Sequence, residues 1–332
     1  MNRVLALIFM TMAVLTSCRG TIDPEDDAPE VDIELLPDVE TFFADGKSSV
    51  TFTVMNGDED VTSASMIRCV TTGQTLQGNT FVTDKDGVYV FNASYEGSVS
   101  PNVQLTAMFA SRYERKVCVM EFTGQWCSQC PDGAKILNFL ANEIYPGQIH
   151  VLAFHNNDEF SLPVEQALAS EFNVEVYPYY LTDMREGGEL RGNGCSESIM
   201  KSLYETETFC GPSVSCDYDA ASGIVDVMAK VISEKTMEYR LAAYVVEDKV
   251  VAEQTLGTGM QQDYVHRHVV RKMLSADWAG DRLGEIAAGE EGQKTWSFTM
   301  EPSWNPQNVA VAVLAIGPDR QVNNMAAIEI IK

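Results

Sequence analysis

From residue 31 to about Ser111 apolar and polar residues alternate, as in Val50-Thr51-Phe52-Thr53-Val54 and Tyr89-Val90-Phe91-Asn92-Ala93. Turn pairs at Asn56-Gly57, Asp86-Gly87 and Glu96-Gly97 separate these runs. A period of two broken by such turns predicts a small β-sandwich. From Arg112 the rhythm changes. Lys116 to Thr123 reads as a strand, and Ala134, Leu137, Leu140, Ala141 and Ile144 then fall on one helical face. A second strand follows at Ile149 to Phe154. Ser161 is placed to cap a helix that has Pro163 in its first turn and runs to about Phe172. Tyr179 to Thr182, a turn at Gly187-Gly188, a short strand near Leu190 and a helix from Ser196 to about Glu207 complete a βαβαββα order. After Cys210-Gly211-Pro212 the alternation returns at Val225/Val227/Ala229/Val231, Tyr239/Leu241/Ala243/Val245, Trp296/Phe298/Met300 and Val309/Val311/Val313. Tyr264 to Glu285 breaks that pattern and reads as a long excursion containing His266 and His268.

The chain of 332 residues therefore divides into three expected folding regions, 31–111, 112–211 and 212–332, and its 45% apolar residues suffice for several cores. The segment ahead of them is different. Residues 1–17, MNRVLALIFMTMAVLTS, carry one positive charge at Arg3 followed by apolar and small residues, which reads as an export signal. The stretch is too short to favour a spanning helix. Leu15-Thr16-Ser17-Cys18 resembles the lipobox of bacterial lipoproteins, which implies cleavage before Cys18 and a lipid on that residue. Residues 18–30 are acidic and proline-bearing and read as a tether.

Charge narrows the choice of partners. With 23 basic and 48 acidic residues the formal net charge is -25, which makes nucleic acid and bare anionic lipid poor partners. Export changes the reading of the cysteines. Besides Cys18 there are Cys69, Cys118, Cys127, Cys130, Cys195, Cys210 and Cys216, in a compartment where disulfides persist. Their number is odd, so at least one is free or paired with another molecule, and a short Cys210–Cys216 bridge around Gly211-Pro212 is one option. Cys118, inside a strand, reads as a buried and inert thiol.

The chemistry concentrates in FTGQWCSQCPDGAKI, residues 122–136. A thiolate at Cys127, just ahead of a helix, is stabilised by unpaired backbone N–H groups and the positive end of the helix dipole. Cys130 lies about one helical turn on, where it can attack a mixed disulfide formed at Cys127. A zinc site needs two further ligands at recognisable spacing, and none follows locally. His266 and His268 could share one face of a strand, which would suit a metal, but two histidines are more often ordinary surface residues and receive no role.

Strand, Trp126-Cys127-x-x-Cys130, helix and a later proline, Pro178, resemble the thioredoxin superfamily over residues 112–209. That resemblance implies a cis Pro178 lying against the cysteines and a buried acid at Glu121 that takes a proton from Cys130. Trp126, Pro178 and Tyr177 would then position the substrate. Tyr177 and Tyr179 flank Pro178 where that family commonly has small or β-branched residues. The first region resembles Ig-like modules of exported bacterial proteins. The whole layout, with Tyr264-Val265-His266-Arg267-His268-Val269-Val270-Arg271 in its last part, resembles the outer-membrane-protein-28-related lipoproteins of Gram-negative bacteria.

The fold class expected from these readings is an α/β thioredoxin-like domain flanked by two all-β sandwich domains, the first of them Ig-like. The expected function is a lipid-anchored thiol-disulfide oxidoreductase of the outer membrane, facing the periplasm or the surface. It would act on protein thiols or disulfides of the envelope without a cofactor or metal. The alternative is a non-enzymatic lipoprotein whose sheets bind an extracellular ligand or partner.

Overall fold

The computed structural model describes residues 32–331, so the export signal, Cys18 and the tether lie outside the described residues. In the first region, strands Ile33–Pro37, Ser49–Asn56, Glu59–Asp60 and Thr80–Val82 form one sheet. Thr41–Phe43, Met66–Cys69, Gly87–Tyr95, Ser98–Val99 and Val103–Met108 form another. Alternate residues of both meet in one core that includes Val50, Phe52, Val54, Phe91 and Leu105. Gly57, at φ 59°, makes the turn between Ser49–Asn56 and its short partner, a backbone setting that costs glycine little.

The rest of the chain is organised by a single nine-stranded sheet. Val117–Thr123 and Ile149–His155 pair in parallel, and Tyr179–Thr182 joins the first of them antiparallel, followed by Glu186–Glu189. On the other side Ala153 pairs with Val269, the first residue of strand Val269–Met273. That strand pairs with Met237–Glu247, which continues through Val309–Ile316 to Val322–Glu329, while Asp281–Ile286 also pairs with Met237–Glu247. Three helices pack on this sheet: α1 (Cys130–Phe139), α2 (Pro163–Glu171) and α3 (Gly194–Tyr204).

This architecture corrects the expected fold class. There is no thioredoxin-like α/β core standing between two all-β domains; the described residues hold 23 strands against three α-helices. The physical reason is visible in the faces of one strand. Cys118, Met120 and Phe122 point into a core that also holds Leu168 of α2 and Ala242, Tyr244, Leu314 and Ile316 of the last third of the chain. Val117 and Val119 point the other way, onto Leu137 of α1 and Ile199 of α3. One of the two apolar faces of this strand is thus buried by C-terminal strands, and the sheet runs on through them. The C-terminal strands have two apolar faces for the same reason. Their second face packs on the sheet of Cys210–Asp219, Ile224–Ser233 and Glu291–Thr299 through Val227, Val231, Leu241, Val311 and Val313.

Local departures have local causes. α2 is preceded by Leu162, not capped by Ser161, because the Ser161 hydroxyl accepts a hydrogen bond from the Asp158 amide at 2.7 Å. α3 starts at Gly194 and ends at Tyr204. The expected excursion at Tyr264 to Glu285 is largely strand. It completes a hairpin of Val250–Leu256 with Gly259–His266 and supplies Val269–Met273 and Asp281–Ile286 to the large sheet. Cys210 and Cys216 are free and lie on one extended strand, about 20 Å apart at six residues of rise, which rules out a bridge between them.

Candidate redox site

Cys127 and Cys130 form a disulfide with their Cα atoms 5.4 Å apart. The local sequence accounts for its position. Gln129 precedes α1, Pro131 occupies the first turn where its missing N–H is not needed, and Asp132 adds an acid near the positive end of the helix. The amide of Cys130, first residue of the helix, donates to Cys127 Sγ at 3.1 Å. Both sulfur residues are shielded, Cys127 at 5% exposure and Cys130 at 1%.

Pro178 is buried, and its peptide bond to Tyr177 is cis. Gly133 lets α1 approach it: a Cβ at that position would lie 3.1 Å from Pro178 Cβ and 2.8 Å from a Leu190 methyl. Trp126 is 48% exposed and crosses the Tyr177 ring edge-on at 5.5 Å between centroids. Its indole donates to the Asn156 carbonyl at 2.7 Å, and the Asn156 amide donates to Glu165 Oε2 at 2.8 Å. The Tyr177 hydroxyl donates to the other oxygen of Glu165 at 2.5 Å. Burial, with Glu165 adding to it, pushes the Tyr177 phenol far above its ordinary range. Trp126, Tyr177 and Pro178 thus stand beside the disulfide as one braced wall.

Glu121 lies on strand Val117–Thr123. Strand alternation turns it toward α1, it is 4% exposed, and its Oε1 has no hydrogen-bond partner. Burial pushes its carboxyl up to about 8. Glu121 and Cys130 line the same small chamber of about 20 Å³, together with His155, Gln254, Tyr264 and His266. His155 Nδ1 lies 2.6 Å from Asp158 Oδ2, so that acid is already engaged. His266 is buried against the His155 and Tyr264 rings, and burial followed by the neighbouring His155 pushes it down to about 4, which keeps it neutral.

All six site residues read from the described part of the sequence converge here: Cys127, Cys130, Glu121, Trp126, Tyr177 and Pro178. Cys18 lies outside the described residues. Sequence reasoning missed the far wall of the site, the Val250–His266 hairpin with Gln254, Tyr264 and His266. His268 is apart from His266: it occupies a left-handed turn at φ 55° and its Nε2 lies 3.3 Å from Asn138 Oδ1 on α1. Among the described residues no three His, Cys, Asp or Glu side chains converge as metal ligands. Cys118, Cys195 and Cys210 are free and buried, and burial, the largest influence on each, raises all three thiols.

Comparison with known proteins places the chain in a family. Among solved structures, HBP35 of Porphyromonas gingivalis is 19% identical, covers 67% of this chain and 77% of its own length, and superposes with a TM-score of 0.56, which marks a shared fold. A domain of the outer membrane lipoprotein Omp28 from Porphyromonas gingivalis is 14% identical over 38% of this chain and 95% of that domain, at a TM-score of 0.27. No curated protein matches the chain. The family described as outer membrane protein Omp28 matches residues 165–331, half of the 332 residues, and the chain belongs to this family of outer membrane proteins.

Proposed function

We propose that the protein is a thiol-disulfide oxidoreductase held at the outer membrane through a lipid on Cys18, acting on protein thiols or disulfides of the envelope. The observation that carries this reading is the Cys127–Cys130 disulfide at the start of α1, with a helix amide on Cys127 Sγ and the orphaned Glu121 carboxyl beside Cys130. A thiolate of a partner dithiol attacks Cys127 Sγ. The Cys127–Cys130 bond breaks, and Cys130 leaves as a thiolate that takes a proton, for which the protonated Glu121 is the nearby source. The partner's second thiol then attacks the mixed disulfide, forms the partner's own disulfide and releases Cys127. Two electrons and two protons pass from partner to protein, and the reverse sequence reduces a partner disulfide. No cofactor enters either direction. Cys127 is the nucleophile, Cys130 the resolving sulfur, and Trp126, Tyr177 and Pro178 the wall along which the partner chain lies.

Trapping in the envelope tests the assignment. Cys130→Ser keeps the nucleophile and removes the resolving step, so mixed disulfides with partners accumulate and disappear on reduction in gels. Cys127→Ser traps at least several-fold less, because Cys130 is the more buried sulfur and lacks the helix amide that serves Cys127. Equal adducts in both variants, or none in either, would favour the alternative of a non-enzymatic binding protein.

A further inference from the structure

The hairpin of Val250–Leu256 and Gly259–His266 is a two-stranded sheet of its own, paired with no other strand of the described residues. It is nevertheless tied to the loop that carries Cys127. Its ladder pairs Ala252 with Tyr264 and Gln254 with Gln261, and the register shifts between the two pairs. Such an irregularity re-aims the strand that carries it. Gln254 is 2% exposed, and its Nε2 lies 2.9 Å from the Cys127 carbonyl and 3.3 Å from the Gly124 carbonyl, with Thr255 O at 3.1 Å. The next backbone amide, that of Thr255, donates to the Gln125 carbonyl at 2.7 Å. A buried primary amide is costly unless it is hydrogen-bonded, and this one spends its donors on the loop before the disulfide.

We propose that Gln254 is a positioning residue of the Cys127–Cys130 pair, holding the 124–127 loop in place and offsetting the negative carbonyl oxygens beside the Cys127 sulfur. The inference deepens the oxidoreductase reading and rests on it. Carbonyl dipoles next to a sulfur oppose its thiolate, and donors bound to those carbonyls weaken the opposition. Gln254 therefore favours the reduced pair with Cys127 ionised. The hairpin supplies both this donor and, through Tyr264 and His266, the wall of the chamber over Glu121 and Cys130.

The test is equilibration of the full chain with glutathione, in which two glutathione thiols supply two electrons and two protons, the Cys127–Cys130 bond breaks and glutathione disulfide forms. In Gln254→Met, which keeps length and removes the donors, the equilibrium constant for reduction falls about tenfold, or about 30 mV for this two-electron couple. The ultraviolet thiolate titration of the reduced pair moves to higher pH by about one unit. Burial pushes Cys195 and Cys210 up to about 12 and Cys216 up to about 11, which keeps these thiols out of that window. Gln254→Glu, of the same shape with an oxygen in place of the donor nitrogen, shifts both readings in the same direction and serves where Gln254→Met does not fold. A folded variant with wild-type equilibrium and titration overturns the positioning role, as does failure of both variants to fold, which marks Gln254 as purely structural. A wild-type disulfide inert to both glutathione and dithiothreitol overturns the oxidoreductase reading itself.

Discussion

Two buried carboxylates, 62 positions apart in sequence, lie on adjacent strands and turns of the same sheet and are treated in opposite ways. Asp183 is fully buried and saturated: Arg115 Nη2 donates to it at 2.7 Å, the Cys118 amide at 2.8 Å, and the Ser202 hydroxyl also donates. Burial raises its carboxyl while the Arg115 guanidinium pulls the other way. Arg115 in turn donates to the Ser202 and Asn323 carbonyls, so the cluster joins the helical side of the sheet to its last strand. Glu121 has neither a cation nor a donor on Oε1, and nothing opposes the effect of burial. A buried acid whose every oxygen is engaged is a fastener. One left unengaged beside a disulfide costs stability in its ionised form, and a fold that keeps it has a proton available at neutral pH.

The largest effect follows from breaking the fastener. Asp183→Ala leaves the Arg115 guanidinium buried without a counter-charge and removes acceptors from the Cys118 amide and Ser202, a loss of about 5 kcal/mol. Thermal unfolding of the variant, compared with Asp183→Ala/Arg115→Met, checks the assignment. The double variant should recover part of the loss, since it removes the stranded charge as well.

Part of the candidate site was legible because its signals are local. The CxxC pair and the helix behind it are read from one short window, whereas Glu121 and Pro178 were implied by the family resemblance that this window carries. Apolar spacing located α1, although Leu140–Ile144 passes into a π-helical turn that leaves Ile144 exposed. What escaped was long-range pairing. Ala153 meets Val269, and Gln254 reaches a carbonyl 127 residues away, contacts that leave no trace in local periodicity. The run from Tyr264 mixes His266, Arg267, His268, Arg271 and Lys272 among its apolar residues, so its alternation is obscured. In the fold those side chains are taken up individually. His266 enters an aromatic cluster, and Arg271 lies over the Phe160 and Trp304 rings. The expected independence of the α/β part failed on the same account, because burial of Met120 and Phe122 depends on strands more than a hundred residues downstream.

A slightly smaller effect of opposite sign tests the orphan. Glu121 has its carboxyl raised from 4.5 to about 8 in the folded protein. A raised acid favours folding fully below the unfolded value, and that contribution is lost as pH rises toward the folded value. Glu121→Gln removes the penalty, so the variant should be more stable than wild type by about 4 kcal/mol at pH 8, with the gain shrinking to near zero at pH 4. Its release of mixed disulfides should slow over the same range. A gain in melting temperature that does not depend on pH would mean that Glu121 ionises normally in the fold, and the contrast with Asp183 would dissolve.

The smallest effect comes from an intermediate case, which decides whether engagement grades smoothly between the two extremes. Glu165 is 1% exposed, has no cation within salt-bridge reach among the described residues, and is held by two neutral donors, Asn156 Nδ2 and the Tyr177 hydroxyl. Tyr177→Phe removes one of them and keeps the ring that packs on Trp126. The loss should be about 1 kcal/mol, the net worth of a typical intramolecular hydrogen bond, and well below that of Asp183→Ala. Because Asn156 also takes the Trp126 indole on its carbonyl, loosening Glu165 should loosen Trp126 as well. Tryptophan fluorescence quenching by a neutral quencher reads that motion, with Trp126→Phe identifying its share of the signal. An unchanged melting temperature and unchanged quenching would show that the Tyr177 hydroxyl holds nothing in place, and would leave ring contact alone to brace the wall beside the disulfide.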